Sequence, residues 1–342
     1  MTIRARIAGV GKYLPERVLT NFDLERMIDT SDAWVRERTG ICERRMAADD
    51  ETASTMGLEA ARQALAQAEI DPADVDLVIG ATYTPDGIFP TVASLVQDGL
   101  GARRAAAFDI NAACAGFIAA FSTATQFIAS GAYQRVVVVG TEVLSRVTNW
   151  EDRTTCVLFG DGAGALVLEA SDRGGALSFV FRSDGSGAHI LYAPGPFGRP
   201  GSAEPGRYFM VMDGPQVFKF AVQAMESATR EAVQAAGLTL DDIDLLIPHQ
   251  ANLRIINSTA KALGLPPERA MVNVDKYGNT ASASIPIALQ EAWEQGRLHD
   301  GDRLVLVAFG GGLAWGASVV EWTPVGPAQP KAEAASATTG GG

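Results

Sequence analysis

Three side chains in this sequence of 342 residues, Cys114, His249 and Asn279, are of the types that together support nucleophilic acyl chemistry. A thiolate attacks a carbonyl carbon, while an imidazole and a carboxamide bind the charge that then builds on oxygen. Cys114 opens an apolar stretch, Cys114-Ala115-Gly116-Phe117-Ile118-Ala119-Ala120-Phe121, that reads as a helix with protein on every side. Unpaired amides and the dipole at that helix N-terminus favour a thiolate, so a cysteine pKa lowered from about 8.5 toward neutrality is expected. His249 follows an apolar run, Asp244 to Ile247, and open α/β sheets place functional groups just past the carboxyl ends of strands. Asn279 precedes a second buried-type helix within Gly278-Asn279-Thr280-Ala281-Ser282-Ala283-Ser284-Ile285-Pro286, where it either caps the helix or donates its amide to a substrate oxygen. A small core cysteine, a structural imidazole and an N-cap are the competing, non-chemical roles for the three.

Glycines add a fourth element. Phe309-Gly310-Gly311-Gly312-Leu313-Ala314-Trp315-Gly316 follows a buried-type strand, and residues without side chains let backbone amides approach a reacting oxygen. The stretch lacks the strand-to-helix setting of GxGxxG, as does Gly9-Val10-Gly11, and neither a P-loop nor a GxSxG elbow occurs.

The elements that position these groups are repeated. An offset of 168 residues, which carries Val75 to Ile243, lays Arg62-Gln63-Ala64 through Asp76-Leu77-Val78-Ile79 onto Arg230-Glu231-Ala232 through Asp244-Leu245-Leu246-Ile247 without a gap. The same offset carries Arg135-Val136-Val137-Val138-Val139 onto Arg303-Leu304-Val305-Leu306-Val307, runs of the kind found in central parallel strands. It also places Cys114 on Ser282 and Asn111 on Asn279. Gly164 to Glu169 matches Gly316 to Glu321 at a shorter offset, so the first copy carries an insertion that includes Trp150 through Asp161. Two α/β halves packed about a pseudo-twofold axis follow, with helices covering mostly parallel sheets. Expected boundaries are 1–172 for the half with the cysteine, 173–214 for a strand and a Gly/Pro-rich linker, 215–323 for the half with histidine and asparagine, and 324–342 for a disordered tail.

Composition agrees with a packed enzyme: 47% hydrophobic, 20% charged and 36 glycines. A net charge of −12 works against a nonspecific hold on nucleic acid. Cys42, Cys114 and Cys156 are too few and too widely spaced for a disulfide framework or a CxxC site, which fits a reducing cytoplasm. Met1 to Gly11 lacks the apolar block of a signal peptide. The uncharged stretch Ile110 to Gln134 is long enough to span a bilayer, but Asn111, Ser122, Thr123, Thr125 and Gln126 argue for a helix buried in protein, so no membrane partner is expected.

Seven motifs in order carry a family resemblance over roughly residues 2 to 323: Asp29-Thr30-Ser31-Asp32-Ala33-Trp34, Arg38-Thr39-Gly40-Ile41, Ala112-Ala113-Cys114-Ala115-Gly116-Phe117, Phe159-Gly160-Asp161-Gly162-Ala163-Gly164, His249-Gln250-Ala251-Asn252, Gly278-Asn279-Thr280-Ala281-Ser282 and Phe309-Gly310-Gly311-Gly312. The chain resembles the β-ketoacyl-acyl-carrier-protein synthases III of the thiolase-like superfamily. That resemblance implies a five-layered α-β-α-β-α fold, a homodimer, and Cys114, His249 and Asn279 as the catalytic set. It implies that Cys114 takes the acyl group from acyl-CoA, with the amides of Cys114 and Gly311 as oxyanion hole. Malonyl-acyl carrier protein then loses carbon dioxide, with His249 and Asn279 stabilising the enolate that attacks the acyl-cysteine.

By the same resemblance Trp34, Arg38, Arg153 and Arg254 contact adenine and phosphates of coenzyme A, Asn252 lies near the pantetheine, and Phe89 closes the acyl pocket across the dimer interface. Lys219, Arg254 and Lys261 are the candidates for docking the acidic carrier protein. Coenzyme A enters as a substrate thioester, and no metal or further cofactor is implied. Cys42, where relatives commonly carry Arg, and Asn111, where a small residue is usual, depart from the pattern. They leave room for a related acyltransferase or a starter condensing enzyme of a natural-product pathway. A papain-like hydrolase lacks its cysteine motif here, and a noncatalytic subunit is disfavoured because Cys114 is kept.

Overall fold

The computed structural model describes residues 3–195 and 208–326. Most of the expected tail, and residues 196–207 of the expected linker, lie outside the described residues.

In the first half the elements run β1 (Arg4–Tyr13), β2 (Arg17–Thr20), α1 (Asn21–Leu24), α2 (Asp32–Thr39), β3 (Glu43–Met46), α3 (Ala53–Ala68), β4 (Leu77–Ala81), α4 (Val92–Leu100), β5 (Ala106–Ile110), α5 (Gly116–Ala129), β6 (Arg135–Glu142) and β7 (Gly162–Ser171). The second continues with β8 (Gly175–Ser183), β9 (Leu191–Tyr192), β10 (Val211–Met212), α6 (Gly214–Ala235), β11 (Leu245–Pro248), α7 (Leu253–Leu263), α8 (Val274–Tyr277), α9 (Ser284–Glu294), β12 (Arg303–Gly310) and β13 (Ala314–Glu321). One sheet has the order β1-β7-β6-β4-β5 and the other β8-β13-β12-β11. In the first sheet β4 is parallel to both β6 and β5, in the second β11 at the edge is parallel to β12, and the pairings through β7 or β13 are antiparallel.

Both sheets bury both faces, which is why their strands are continuous apolar runs. Val136 and Val138 of β6 join Leu304 and Leu306 of β12 in one core with α5 and α9. The alternate residues face outward: Val137 and Val139 pack with α3 and α4, while Val305 and Val307 pack with α6 and α7. The layers therefore run α3/α4, first sheet, α5/α9, second sheet, α6/α7, the five-layered α-β-α-β-α arrangement.

The repeat is kept to the level of single hydrogen bonds. Asp76 Oδ2 accepts the Arg135 N–H at 3.0 Å, and Asp244 Oδ2 accepts that of Arg303 at 2.8 Å. Before α5 the Ala115 N–H donates to Ala112 O at 3.1 Å, and before α9 the Ala283 N–H donates to Thr280 O at 3.0 Å. The halves differ at β5. Its counterpart is the helical turn α8, because the Gln250 side chain takes the Asn273 and Val274 N–H groups at 2.9 and 3.1 Å that a strand would have offered to a neighbour.

Candidate active site

Cys114 sits in a tight turn built by its own loop. Asn111 Oδ1 accepts the Ala113 N–H at 3.2 Å and so supports the left-handed conformation of Ala113 (φ 47°), which a residue with a Cβ rarely adopts. This is the structural use of the unusual Asn111. The turn delivers Cys114 two residues ahead of the first helical residue of α5. Gly310, at the end of β12, approaches so closely that a Cβ there would lie 2.7 Å from the Cys114 nitrogen and 2.8 Å from that of Ala115.

The expected lowering of the thiol pKa does not occur. Burial pushes the Cys114 thiol up to about 12, and the Glu142 carboxylate behind it adds to the rise, while hydrogen bonding from Tyr83 opposes it. Desolvation thus outweighs the helix N-terminus, and the resting group is the neutral thiol. Glu142 is fully buried at the end of β6, and the Thr82 and Thr84 hydroxyls lie 3.1 and 2.5 Å and the Ser282 hydroxyl 2.8 Å from its carboxylate oxygens. Burial nevertheless exceeds that support and raises its pKa to about 7.

His249 leaves the end of β11, pinned by its N–H to Val307 O at 2.8 Å. The ring lies edge-on to Phe309, with centroids 5.5 Å apart, and its Nδ1 is 2.7 Å from Ser284 Oγ. Burial drops the imidazole pKa to about 3, so it is neutral at pH 7, and Nε2 has no hydrogen-bond partner among the described residues. The rest of the His-Gln-Ala-Asn motif is structural support. Gln250 staples the loop to Pro248 and Met271, and Asn252 caps α7 by accepting the Arg254 N–H at 2.8 Å.

Asn279 is fixed by two backbone bonds to the segment 158–160: its N–H to Leu158 O at 2.8 Å and the Gly160 N–H to its carbonyl at 3.0 Å. Its Oδ1 accepts the Ala281 N–H at 2.8 Å, which supports left-handed Ala281 (φ 45°), the mate of Ala113 at the repeat offset. With the oxygen occupied, the amide Nδ2 is the free end of the side chain.

Cys114, His249 and Asn279 line one cavity of about 530 Å³, together with Trp34, Arg38, Asn252, Arg254 and a mainly apolar wall that includes Leu191, Met212 and Phe218. Such a volume suits a small acyl chain with the pantetheine arm that carries it. Arg153 stands beside this wall, its guanidinium 4.5 Å from the Trp34 ring centre and 3.6 Å from an Asp29 carboxylate oxygen. Gly311 packs against Leu191 and Ala113 next to the cysteine turn, outside the cavity lining itself. Phe89 is away from the cavity of its own chain and 85% exposed. Lys219 on α6 and Arg254 and Lys261 on α7 are exposed. Arg254 lies over Phe218 near the mouth, while Lys261 is at the far end of α7, about 10 Å along the helix.

Three participants escaped the sequence reading, Tyr83, Glu142 and Ser284, and Ser282 entered it only as the repeat mate of Cys114 and a motif residue. Tyr83 has a buried hydroxyl with no oxygen or nitrogen partner, and the group it faces is the Cys114 sulfur. The position of Tyr83 just past β4, and of Glu142 at the end of an apolar strand, were the available signals. Among the described residues no His/Cys/Asp/Glu cluster fit for a metal ion occurs, and no helix is long and apolar enough to cross a membrane.

Paired sheets around two central helices, with a cysteine turn entering one of them, define a thiolase-like condensing enzyme. A family profile described as 3-oxoacyl-[acyl-carrier-protein] synthase III matches residues 108–185, and that of its C-terminal part matches residues 233–322. The chain is 55% identical to the β-ketoacyl-[acyl-carrier-protein] synthase III of Symbiobacterium thermophilum, covering 92% of this chain and 97% of that one. Identity to the enzyme of the same name from Bacillus pumilus is 51%, over 94% and 99% of the two chains. The crystal structure of synthase III from Thermus thermophilus superimposes with a TM-score of 0.89 at 47% identity, over 94% and 100%. The chain belongs to the β-ketoacyl-acyl-carrier-protein synthase III family.

Proposed function

We infer that this chain condenses an acyl-CoA with malonyl-acyl carrier protein, giving β-ketoacyl-acyl carrier protein, coenzyme A and carbon dioxide. The observation that carries the reading is the convergence of a thiol, an unprotonated imidazole and the donor end of a carboxamide on one apolar-walled cavity. In the first half-reaction the Cys114 sulfur bonds to the acyl carbonyl carbon and the carbon–sulfur bond to coenzyme A breaks, the cysteine proton ending on the released thiol. The α5 N-terminus favours the charge that develops on sulfur. The N–H groups of Cys114 and Gly311 are assigned to the oxyanion.

In the second half-reaction the malonyl carboxylate leaves as carbon dioxide and its electron pair becomes an enolate. Its oxygen is bound by His249 and Asn279. Two neutral donors suffice if they are preorganised where the charge appears, and a cationic imidazole at this buried site would itself be costly. The enolate carbon then attacks the acyl-cysteine carbonyl, the carbon–sulfur bond to Cys114 breaks, and the departing thiolate takes up a proton from solvent to restore the thiol. Both substrates bring their own activation, so no cofactor enters the proposal.

Trp34, Arg38, Arg153, Asn252 and Arg254 are proposed to hold coenzyme A, by stacking on the half-buried indole and by guanidinium–phosphate pairing. Lys219, Arg254 and Lys261 are proposed to meet the carrier protein. Phe89, with neighbouring Ile88 at 66% exposure, is an apolar loop tip that a second copy of the chain would cover, which supports a homodimer. The domain boundaries given above and a cytoplasmic location complete the proposal. The test is an incubation with acyl-CoA and malonyl-acyl carrier protein. Carbon dioxide release, a β-ketoacyl product and an acyl mass on Cys114 are expected, all abolished in Cys114→Ala. Acylation without decarboxylation would instead indicate acyl transfer to another nucleophile.

A further inference from the structure

Ser282 Oγ, buried in the turn ahead of α9, lies 2.7 Å from the Ala81 carbonyl oxygen and 2.8 Å from Glu142 Oε1. Oxygens this close are held together by a hydrogen between them. The serine has one hydrogen for two such contacts, and the Ala81 carbonyl has none to offer. With the serine hydrogen on that carbonyl, the shorter contact, the hydrogen of the second contact must come from the carboxyl side. The oxygens of Glu142 are served unequally, in keeping with that count. The Thr84 and Thr82 hydroxyls stand 2.5 and 3.1 Å from Oε2. Each already accepts an amide, Thr84 the Val143 N–H at 2.9 Å and Thr82 the Thr84 N–H at 3.1 Å, so both hydroxyl hydrogens are free for Oε2. Oε1 has Ser282 and the Tyr83 N–H, which stands 3.4 Å away. The donors that reach Glu142 among the described residues are hydroxyls and backbone amides, with no cation to balance a charge in a fully buried place.

We propose that Glu142 is a positioning residue that rests as a neutral carboxylic acid, its proton on Oε1 and directed at Ser282 Oγ, and so keeps the space behind the Cys114 sulfur uncharged while that sulfur gains charge. This deepens the condensing reading and rests on it for the role of Cys114. The hydrogens then run from Glu142 Oε1 to Ser282 Oγ and from Ser282 Oγ to Ala81 O, and both close contacts are satisfied. Loss of the proton leaves one hydroxyl hydrogen for two acceptors. It also places a negative charge behind the thiol, and the Glu142 carboxylate raises the Cys114 pKa. Burial lifts the carboxyl's own value to about 7, so the acid form predominates below it. The titratable groups that face Glu142 are Tyr83, from the segment after β4, and Cys114, from the turn before α5. Asp161, just ahead of the paired strand β7, turns its carboxylate to the Ala47 and Ser145 N–H groups instead.

The test uses the whole protein without substrate. The infrared difference between wild type and Glu142→Gln should show the carbonyl stretch of a protonated carboxyl at about pH 5.5, replaced by carboxylate bands at about pH 9. Iodoacetamide alkylation, read on the peptide that carries Cys114, is the second measurement. The rate of Glu142→Gln relative to wild type should grow about tenfold between those two pH values, because only the wild type acquires the charge. A role in packing alone would hold that ratio constant. Carboxylate bands already present at about pH 5.5, or a ratio that does not change with pH, overturns the proposal. Should Glu142→Gln fail to fold, the wild-type alkylation profile decides alone. It should rise by less than tenfold per unit across about pH 6 to 8, and a full tenfold rise throughout overturns the proposal. A protein that shows the acid band yet condenses no acyl-CoA with malonyl-acyl carrier protein sinks the condensing reading instead.

Discussion

Replacing Gly310 by Ala tests whether the Cys114 turn is held to the accuracy that acyl transfer requires. The added methyl would stand 2.7 Å from the Cys114 nitrogen, 2.8 Å from the Ala115 nitrogen and 3.1 Å from Ala112 O, all of them backbone atoms. Ordinary van der Waals contact begins at 3.4 Å, so in a close-packed interior the turn must retreat by about 0.7 Å. Displacements of that order take reacting groups out of attack geometry, and a loss of about 10- to 100-fold in the acylation rate follows. The assay is single-turnover acylation by acyl-CoA, read as the mass gained by the intact protein. Gly101→Ala is the control: its φ of 75° is left-handed, whereas Gly310 is extended, and nothing lies within 4 Å of the new methyl, so it strains the backbone without touching the site. Wild-type acylation by Gly310→Ala, or an equal loss in Gly101→Ala, would refute the argument.

Three further outcomes are expected. His249 titrates near 3 in the folded chain against 6.5 in a model peptide, so between those values the unfolded chain alone binds its proton. Stability relative to His249→Asn should then rise with pH across that window, by up to about 1.4 kcal/mol per unit, and level off above it; a flat difference in urea unfolding contradicts this. Glu142 acts in the opposite sense, because its folded value is raised from 4.5 to about 7, and its contribution to stability should decline as pH rises through that interval, which Glu142→Gln removes. Tyr83→Phe deletes the buried hydroxyl that lowers the Cys114 thiol pKa, so iodoacetamide should alkylate Cys114 about threefold or more slowly at fixed pH, with the profile moved to higher pH. An unchanged profile would remove Tyr83 from the site.

The fold was legible because its signal is global. Two gapless matches at one offset define two halves, and strands such as Val136–Val139 announce burial on both faces. The site was legible where backbone topology dictates position: His249 at a strand end and Cys114 ahead of a buried helix. The thiol pKa was not, because its sign depends on how two opposing effects balance. A helix N-terminus is visible in sequence, whereas the burial that defeats it, and the Glu142 charge that adds to the rise, come about only in three dimensions. Ser284 was hidden for a related reason. A serine at the start of a helix is an ordinary residue until an imidazole is found 2.7 Å away.

The repeat also explains why there is one site rather than two. At the repeat offset Cys114 and His249 have as mates Ser282 and Ala81, and these touch, with Ser282 Oγ 2.7 Å from Ala81 O. The fold thus builds the same meeting point twice. Around Cys114 it is kept open by small residues, Gly310 and Ala251, and the cavity forms there. Around Ser282 the corresponding positions are Glu142 and Tyr83, and the space is filled by the Glu142 network of hydroxyls and amides. The filled copy does not stand idle, for its carboxylate raises the thiol pKa of the open copy while its tyrosine lowers it. Enlarging Gly310 and truncating Tyr83 are therefore two perturbations of one duplicated junction: the first displaces the nucleophile, and the second leaves it in place but changes its acidity.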